Sequence, residues 1–213
     1  MSFHGWPEGA LDFFRGLETD NSKAYWTAHK ADYDAEVLAP MEELLAELAG
    51  EFGEPRIFRP YRDVRFSADK SPYKTAIGAT LSRGGYVQLS ADGLGAGAGY
   101  HRLEPDQLAR YRDAVAAEKT GEALRATLRG LRAKRIEVIS SEALKSAPRG
   151  FPKEHPRLDL LIRKDLAAWR QWPPAPWLST ATAKTRVAEF LRSTAALTGW
   201  LDAHVGPSTD RRR

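Results

Sequence analysis

Between positions 59 and 75 the chain reads Arg59-Pro60-Tyr61-Arg62-Asp63-Val64-Arg65-Phe66-Ser67-Ala68-Asp69-Lys70-Ser71-Pro72-Tyr73-Lys74-Thr75. Five cations, two carboxylates and three aromatic rings fall in this one stretch. A guanidinium is a planar fork that matches a carboxylate or phosphate, and an ammonium is a compact charge with three donors. The chemistry such a set offers is capture of a small anion. Arg62 or Arg65, Lys70 and Lys74 would donate, while Tyr61, Tyr73 and Trp26 would line the pocket. Two other readings use the same residues. Asp63 or Asp69 could be the general base of a hydrolase or transferase, with the arginines stabilising developing charge. Alternatively, the charges pair with one another as a structural ion-pair network. Strand geometry would put Tyr61, Asp63 and Arg65 on one face and Arg62, Val64 and Phe66 on the other, so Arg62 and Arg65 would point apart.

A second candidate lies in Pro148-Arg149-Gly150-Phe151-Pro152, followed by His155-Pro156. This rigid loop before a helical pattern offers Arg149 as a further anion donor. Its other reading is a connection whose His155 caps or packs. The alternating Gly95-Ala96-Gly97-Ala98-Gly99 leaves one face of a strand without side chains. That face admits close approach by a helix, an aromatic ring or a ligand, close helix packing ranking ahead of ligand contact.

Several classes are excluded by composition. The chain has no cysteine, which removes disulfides, thiol nucleophiles and cysteine-based zinc sites. The five histidines stand at 4, 29, 101, 155 and 204, without an H-x-x-H or H-E-x-x-H pair, so no metal is expected. No G-x-S-x-G, P-loop or G-x-G-x-x-G pattern occurs, and no cofactor is expected. The net charge is +4, and three of those charges are Arg211, Arg212 and Arg213, leaving +1 for the rest. A surface that holds nucleic acid carries a larger excess, so nucleic acid is not an expected partner. No apolar run reaches the roughly 20 residues of a membrane-spanning helix, and no signal sequence is visible. The expected location is the cytoplasm.

These side chains need elements to position them. Ala10, Phe13, Phe14 and Leu17 make one apolar stripe, predicting a helix over 7–17. Asp20-Asn21-Ser22 offers caps for a second helix with Tyr25, Trp26, His29 and Tyr33 near one face. Pro40 marks a kink or new turn, and Met41, Leu44, Leu45, Leu48 and Phe52 continue the stripe to Gly50 and Gly53. Period two then predicts strands over 57–66, 73–82, 86–91 and 94–101, with turns at Arg83-Gly84-Gly85 and Asp92-Gly93. Helices return from Pro105, split near Thr120-Gly121. An isolated strand is expected over 135–140, a helix over 157–169, an irregular stretch over 172–177, and a last helix capped by Ser179 or Thr180.

The pieces Phe3-His4-Gly5-Trp6-Pro7, Asp20-Asn21-Ser22-Lys23-Ala24-Tyr25-Trp26, the run 59–75, Gly93–Tyr100, Pro148–Pro152 and His155-Pro156 together resemble a family of bacterial and some fungal proteins. That family is domain of unknown function 2461. Its pattern has two asparagines where this chain has Asp20-Asn21, and Trp-Phe where it has Tyr25-Trp26. The resemblance implies no reaction. It implies that Arg62, Asp63, Arg65, Asp69, Lys70 and Lys74 belong together. The expected fold is α+β: a central antiparallel β-meander flanked by N-terminal and C-terminal helices. One domain is expected over 1–205, with a flexible basic tail over 206–213.

Overall fold

The computed structural model describes residues 2–65 and 67–209. Helices at both ends of the chain bracket a six-stranded antiparallel sheet of order β1-β2-β3-β4-β6-β5, so the fold is α+β. The strands are β1 (Pro55–Ile57), β2 (Ala76–Leu81), β3 (Gly85–Ser90), β4 (Gly93–Tyr100), β5 (Glu137–Ile139) and β6 (Leu166–Trp172). The meander ends at β4, because β6 pairs before β5 in the order. The chain forms two compact units, Met1–Ala96 with Gln171–Leu191, and Gly97–Arg170 with Arg192–Arg213.

In the first unit, α1 (Gly9–Thr19) buries Ala10, Leu11, Phe13, Phe14 and Leu17. This is the stripe that its spacing dictates. The Ser22 hydroxyl accepts the Tyr25 N–H at 3.1 Å and starts α2 (Lys23–Ala28). Then α3 (Lys30–Asp32), a π-helical turn (Tyr33–Leu38) and α4 (Ala39–Phe52) follow without a break. Pro40 explains the turn. It has no N–H to give and its ring crowds the carbonyl four residues back. The helix takes up one extra residue, and the Ala39 N–H reaches the Asp34 carbonyl, five residues back. Gly50 stays inside α4, which ends at Gly53 with φ +87°, a conformation that favours glycine.

The hairpins that follow have fixed register. Pro55 lies opposite Leu81, Ala76 opposite Ser90, and Leu81 opposite Gly85. Ile77, Ala79, Leu81, Val87 and Leu89 are buried. Alternation leaves Gly78, Tyr86 and Gln88 for the other face. The predicted strand over 57–66 ends at Ile57. Pro60 has no N–H for a ladder, and the chain leaves the sheet as a long loop. Phe66 lies outside the described residues.

The second unit holds α5 (Pro105–Ala116), α6 (Glu118–Ala133), β5, α7 (Leu158–Leu161) and the C-terminal half of α8 (Thr182–His204). The α5–α6 break falls at extended Ala117, a few residues before the expected glycine. The strand expected to stand alone is β5, and it pairs antiparallel with β6, Glu137 opposite Trp169. The helix expected over 157–169 is a single turn followed by β6. Leu166 and Ala168 are buried, and sheet pairing of this alternating segment overrides its helical pattern. At the centre of the glycine-rich strand a side chain at Gly97 would meet the Trp169 ring at 3.2 Å. Residues 206–209 of the expected tail are tied to α5. Asp106 accepts from the Ser208 hydroxyl and the Thr209 N–H, both at 2.7 Å, and Arg110 donates to the Pro207 carbonyl at 2.8 Å. The remaining tail residues, 210–213, lie outside the described residues. No helix among the described residues is long and apolar enough to cross a membrane.

Candidate functional site

The loop between β1 and β2 is held at its base like a hairpin. Tyr61 and Tyr73 form an antiparallel bridge, the Arg62 N–H donates to the Pro72 carbonyl at 2.9 Å, and the Lys74 N–H donates to the Pro60 carbonyl at 2.8 Å. Asn21 clamps the same point from the α1–α2 turn. Its amide donates to the Tyr73 carbonyl at 3.1 Å and its side-chain oxygen accepts the Tyr73 N–H at 3.0 Å. Tyr73 is thereby stacked on Trp26, with ring centroids 4.4 Å apart and planes 7° apart. Both rings are 5% exposed.

Beside this clamp a cleft of about 600 Å³ opens over β2 and β3. Its size is ordinary for a small-molecule site. Of the residues singled out from sequence, Arg62, Asp69, Tyr73 and Lys74 line it. Arg65, Lys70, Tyr61, Asp63, Trp26 and Arg149 do not. Arg65 forks onto Asp63, with Nε and Nη2 at 2.9 and 2.7 Å. Lys70 donates to the Val64 carbonyl at 3.0 Å. Trp26 sits behind Tyr73 as core, and Tyr61 is 48% exposed. Arg149 is an exposed residue of the second unit. His155 accepts the Arg157 N–H at 3.0 Å. Arg62 and Arg65 do differ in where they go, but through a loop and not through strand alternation.

The cleft's other walls come from residues that sequence reasoning passed over. Glu18 arrives from α1, Phe58 follows β1, and Gly78, Tyr86 and Gln88 lie on the outer face of β2–β3. The signal was period two itself. Tyr86 and Gln88 alternate with the buried Val87 and Leu89, and the register sets Gly78 opposite Gln88. The Tyr86 hydroxyl donates to the Gln88 side-chain oxygen at 2.8 Å.

The electrostatics separate the two acids from the cations. The Ser71 hydroxyl, then Arg62 and the Ser71 N–H, hold Asp69 far below the usual carboxylate range. Arg65 pulls Asp63 down to about 2. Carboxylates held so acidic, and already engaged by donors, are weak bases near neutral pH. Lys74 differs. Burial, and then Arg59, lower its pKa. Its Nζ donates to the Arg59 carbonyl at 2.9 Å and lies 5.4 Å from the Phe58 ring centroid. Among the described residues no carboxylate pairs with it. Also among the described residues, no three His, Asp or Glu side chains converge as a metal-binding group.

The family model of the conserved hypothetical proteins, domain of unknown function 2461, matches residues 9–200, and the chain belongs to that family. No curated protein and no solved structure matches it.

Proposed function

We propose that the cleft of the first unit binds a small anionic ligand, with Lys74 and Arg62 as its donors. The observation that carries this is Lys74. A half-buried ammonium whose protein partner is a carbonyl, beside a second cation, favours a negative charge near it. Arg62 adds donors beyond the one that Asp69 occupies. The partial charges of Gln88 and the Ser71 hydroxyl supply neutral contacts around the same space.

The test is calorimetric titration with phosphate, sulfate and acetate at low ionic strength, where exposed charges are least screened. At least one of these anions should bind, and Lys74→Met should weaken it about tenfold or more, the loss of one charge-assisted hydrogen bond. Anion binding left unchanged by Lys74→Met, or no binding of any of the three, would overturn the proposal.

A further inference from the structure

The anion donors occupy one part of the cleft, and its remaining walls are aromatic. Phe58 is 36% exposed; with Tyr61 it is one of two large apolar side chains on the surface among the described residues. Phe58 therefore offers part of its ring to the cleft. Its neighbour Tyr86 also lines the cleft, with centroids 6.3 Å apart and planes inclined at 32°. The two rings therefore form a wedge. Tyr86 is held in that pose by its bond to Gln88. Tyr86 lies close over the strand: a side chain at Gly78 would stand 2.5 Å from the Tyr86 hydroxyl, so glycine at 78 is what lets the Tyr86 ring lie there. Lys74, the unneutralised cation, stands beside Phe58.

Resting on the anion-binding reading above, we propose that the ligand is a monoanion carried on a planar ring, an aryl carboxylate or aryl phosphate ester in its singly charged form. The ligand's ring would lie against the cleft-facing sides of Phe58 and Tyr86, and the charge would meet Lys74 and Arg62. Three features favour this class over a bare inorganic anion. Phosphate or sulfate would occupy a small part of about 600 Å³. Flat ligands gain from stacking on aromatic faces in ways that a tetrahedral ion does not. Glu18 and Asp69 also line the cleft, and two carboxylates there disfavour a multiply charged guest.

The experiment holds the charge constant and varies the ring. Benzoate, cyclohexanecarboxylate and acetate are titrated calorimetrically into the full-length protein, with phenyl phosphate and inorganic phosphate at pH 5 as a second series. The expected order is benzoate tighter than cyclohexanecarboxylate, and that tighter than acetate. Benzoate should exceed acetate about tenfold, the scale of a ring contact with its burial. Phe58→Leu, at an exposed position, should erase the preference for benzoate over cyclohexanecarboxylate, read as the ratio of the two affinities within the same variant. If acetate and benzoate bind equally, or Phe58→Leu keeps the ring preference, this inference is wrong while anion binding stands. If none of the carboxylates or phosphates binds, the anion-binding reading fails and takes this one with it.

Discussion

Two places in the molecule use guanidinium groups in opposite ways. In the second unit Arg157 is 6% exposed. Its Nε donates to the Val115 carbonyl at 2.7 Å, Nη2 to the Ala116 carbonyl at 2.8 Å and Nη1 to Glu122 at 2.9 Å. Those two carbonyls belong to the last turn of α5, where a helix leaves its acceptors without partners. Gly121 makes the arrangement fit, since a side chain there would collide with the Arg157 Nε and the Val115 carbonyl. In the first unit the loop over 59–74 keeps its cations near water. Arg65 is neutralised side-on by Asp63, Arg62 gives one nitrogen to Asp69, and Lys74 holds only a carbonyl. A buried cation with every nitrogen occupied is scaffold. A cation with coordination to spare beside a cleft is equipped to bind.

The strongest way to break this contrast is Arg157→Met. It keeps much of the apolar stem while stranding two carbonyls of α5. Each unmet buried group costs about 1–3 kcal/mol, so the loss should be about 3 kcal/mol in urea unfolding. If stability is unchanged, the buried arginine is not the scaffold described. Next in size is Asn21→Ala. It removes both bonds to the Tyr73 backbone, and at about 1 kcal/mol per bond the midpoint should fall by the equivalent of about 2 kcal/mol. Because Lys74 follows Tyr73 directly, the same variant should also weaken acetate binding. A stability loss with acetate affinity intact would show that the clamp serves the fold alone.

The contrast also explains what could be read in advance. The stripes of α1 and α4 and the alternation of Ile77, Ala79 and Leu81 in β2 and of Val87 and Leu89 in β3 are local patterns, and these side chains are buried as the periodicity requires. The basic run drew attention through residue type, and Arg62, Asp69, Tyr73 and Lys74 do meet at one cleft. Partnership between distant residues was not legible. Asn21 reads as a capping residue, yet its bonds go to Tyr73, 52 positions along. Arg157 reads as the start of a helix, but its role depends on carbonyls about 40 positions earlier. Pro60 was the local warning that the strand could not continue, outweighed by the alternation around it. β6 was hidden for a different reason. Its buried Leu166 and Ala168 alternate at the period of a strand, but the run is short and follows a helical start at Arg157, and pairing with β5 decides it.

The smallest expected effect lies at Asp63 and Arg65, and it sharpens the contrast most. Asp63 is lowered from its ordinary 3.8 to about 2, first by the Arg65 side chain and then by the Arg65 N–H. A carboxyl whose folded pKa is depressed stabilises the fold above its unfolded pKa, and that contribution disappears as pH falls through the folded one. The window is therefore from about 4 down to about 2. Both partners face water, their side chains 76% and 44% exposed for Arg65 and Asp63. Solvent screening and the cost of ordering two side chains cancel most of such a pair's attraction. Asp63→Asn should leave the melting midpoint at pH 7 almost where it was and make the acid limb between pH 4 and 2 slightly shallower. In 0.5 M salt the difference between the two proteins should vanish. Acetate affinity should also survive, because neither residue lines the cleft. A fall in midpoint comparable to that of Arg157→Met would make this loop scaffold as well. Loss of acetate binding in Asp63→Asn would instead extend the site from Lys74 and Arg62 to the Arg65 fork, and the division between bound and available guanidiniums would have to be redrawn there.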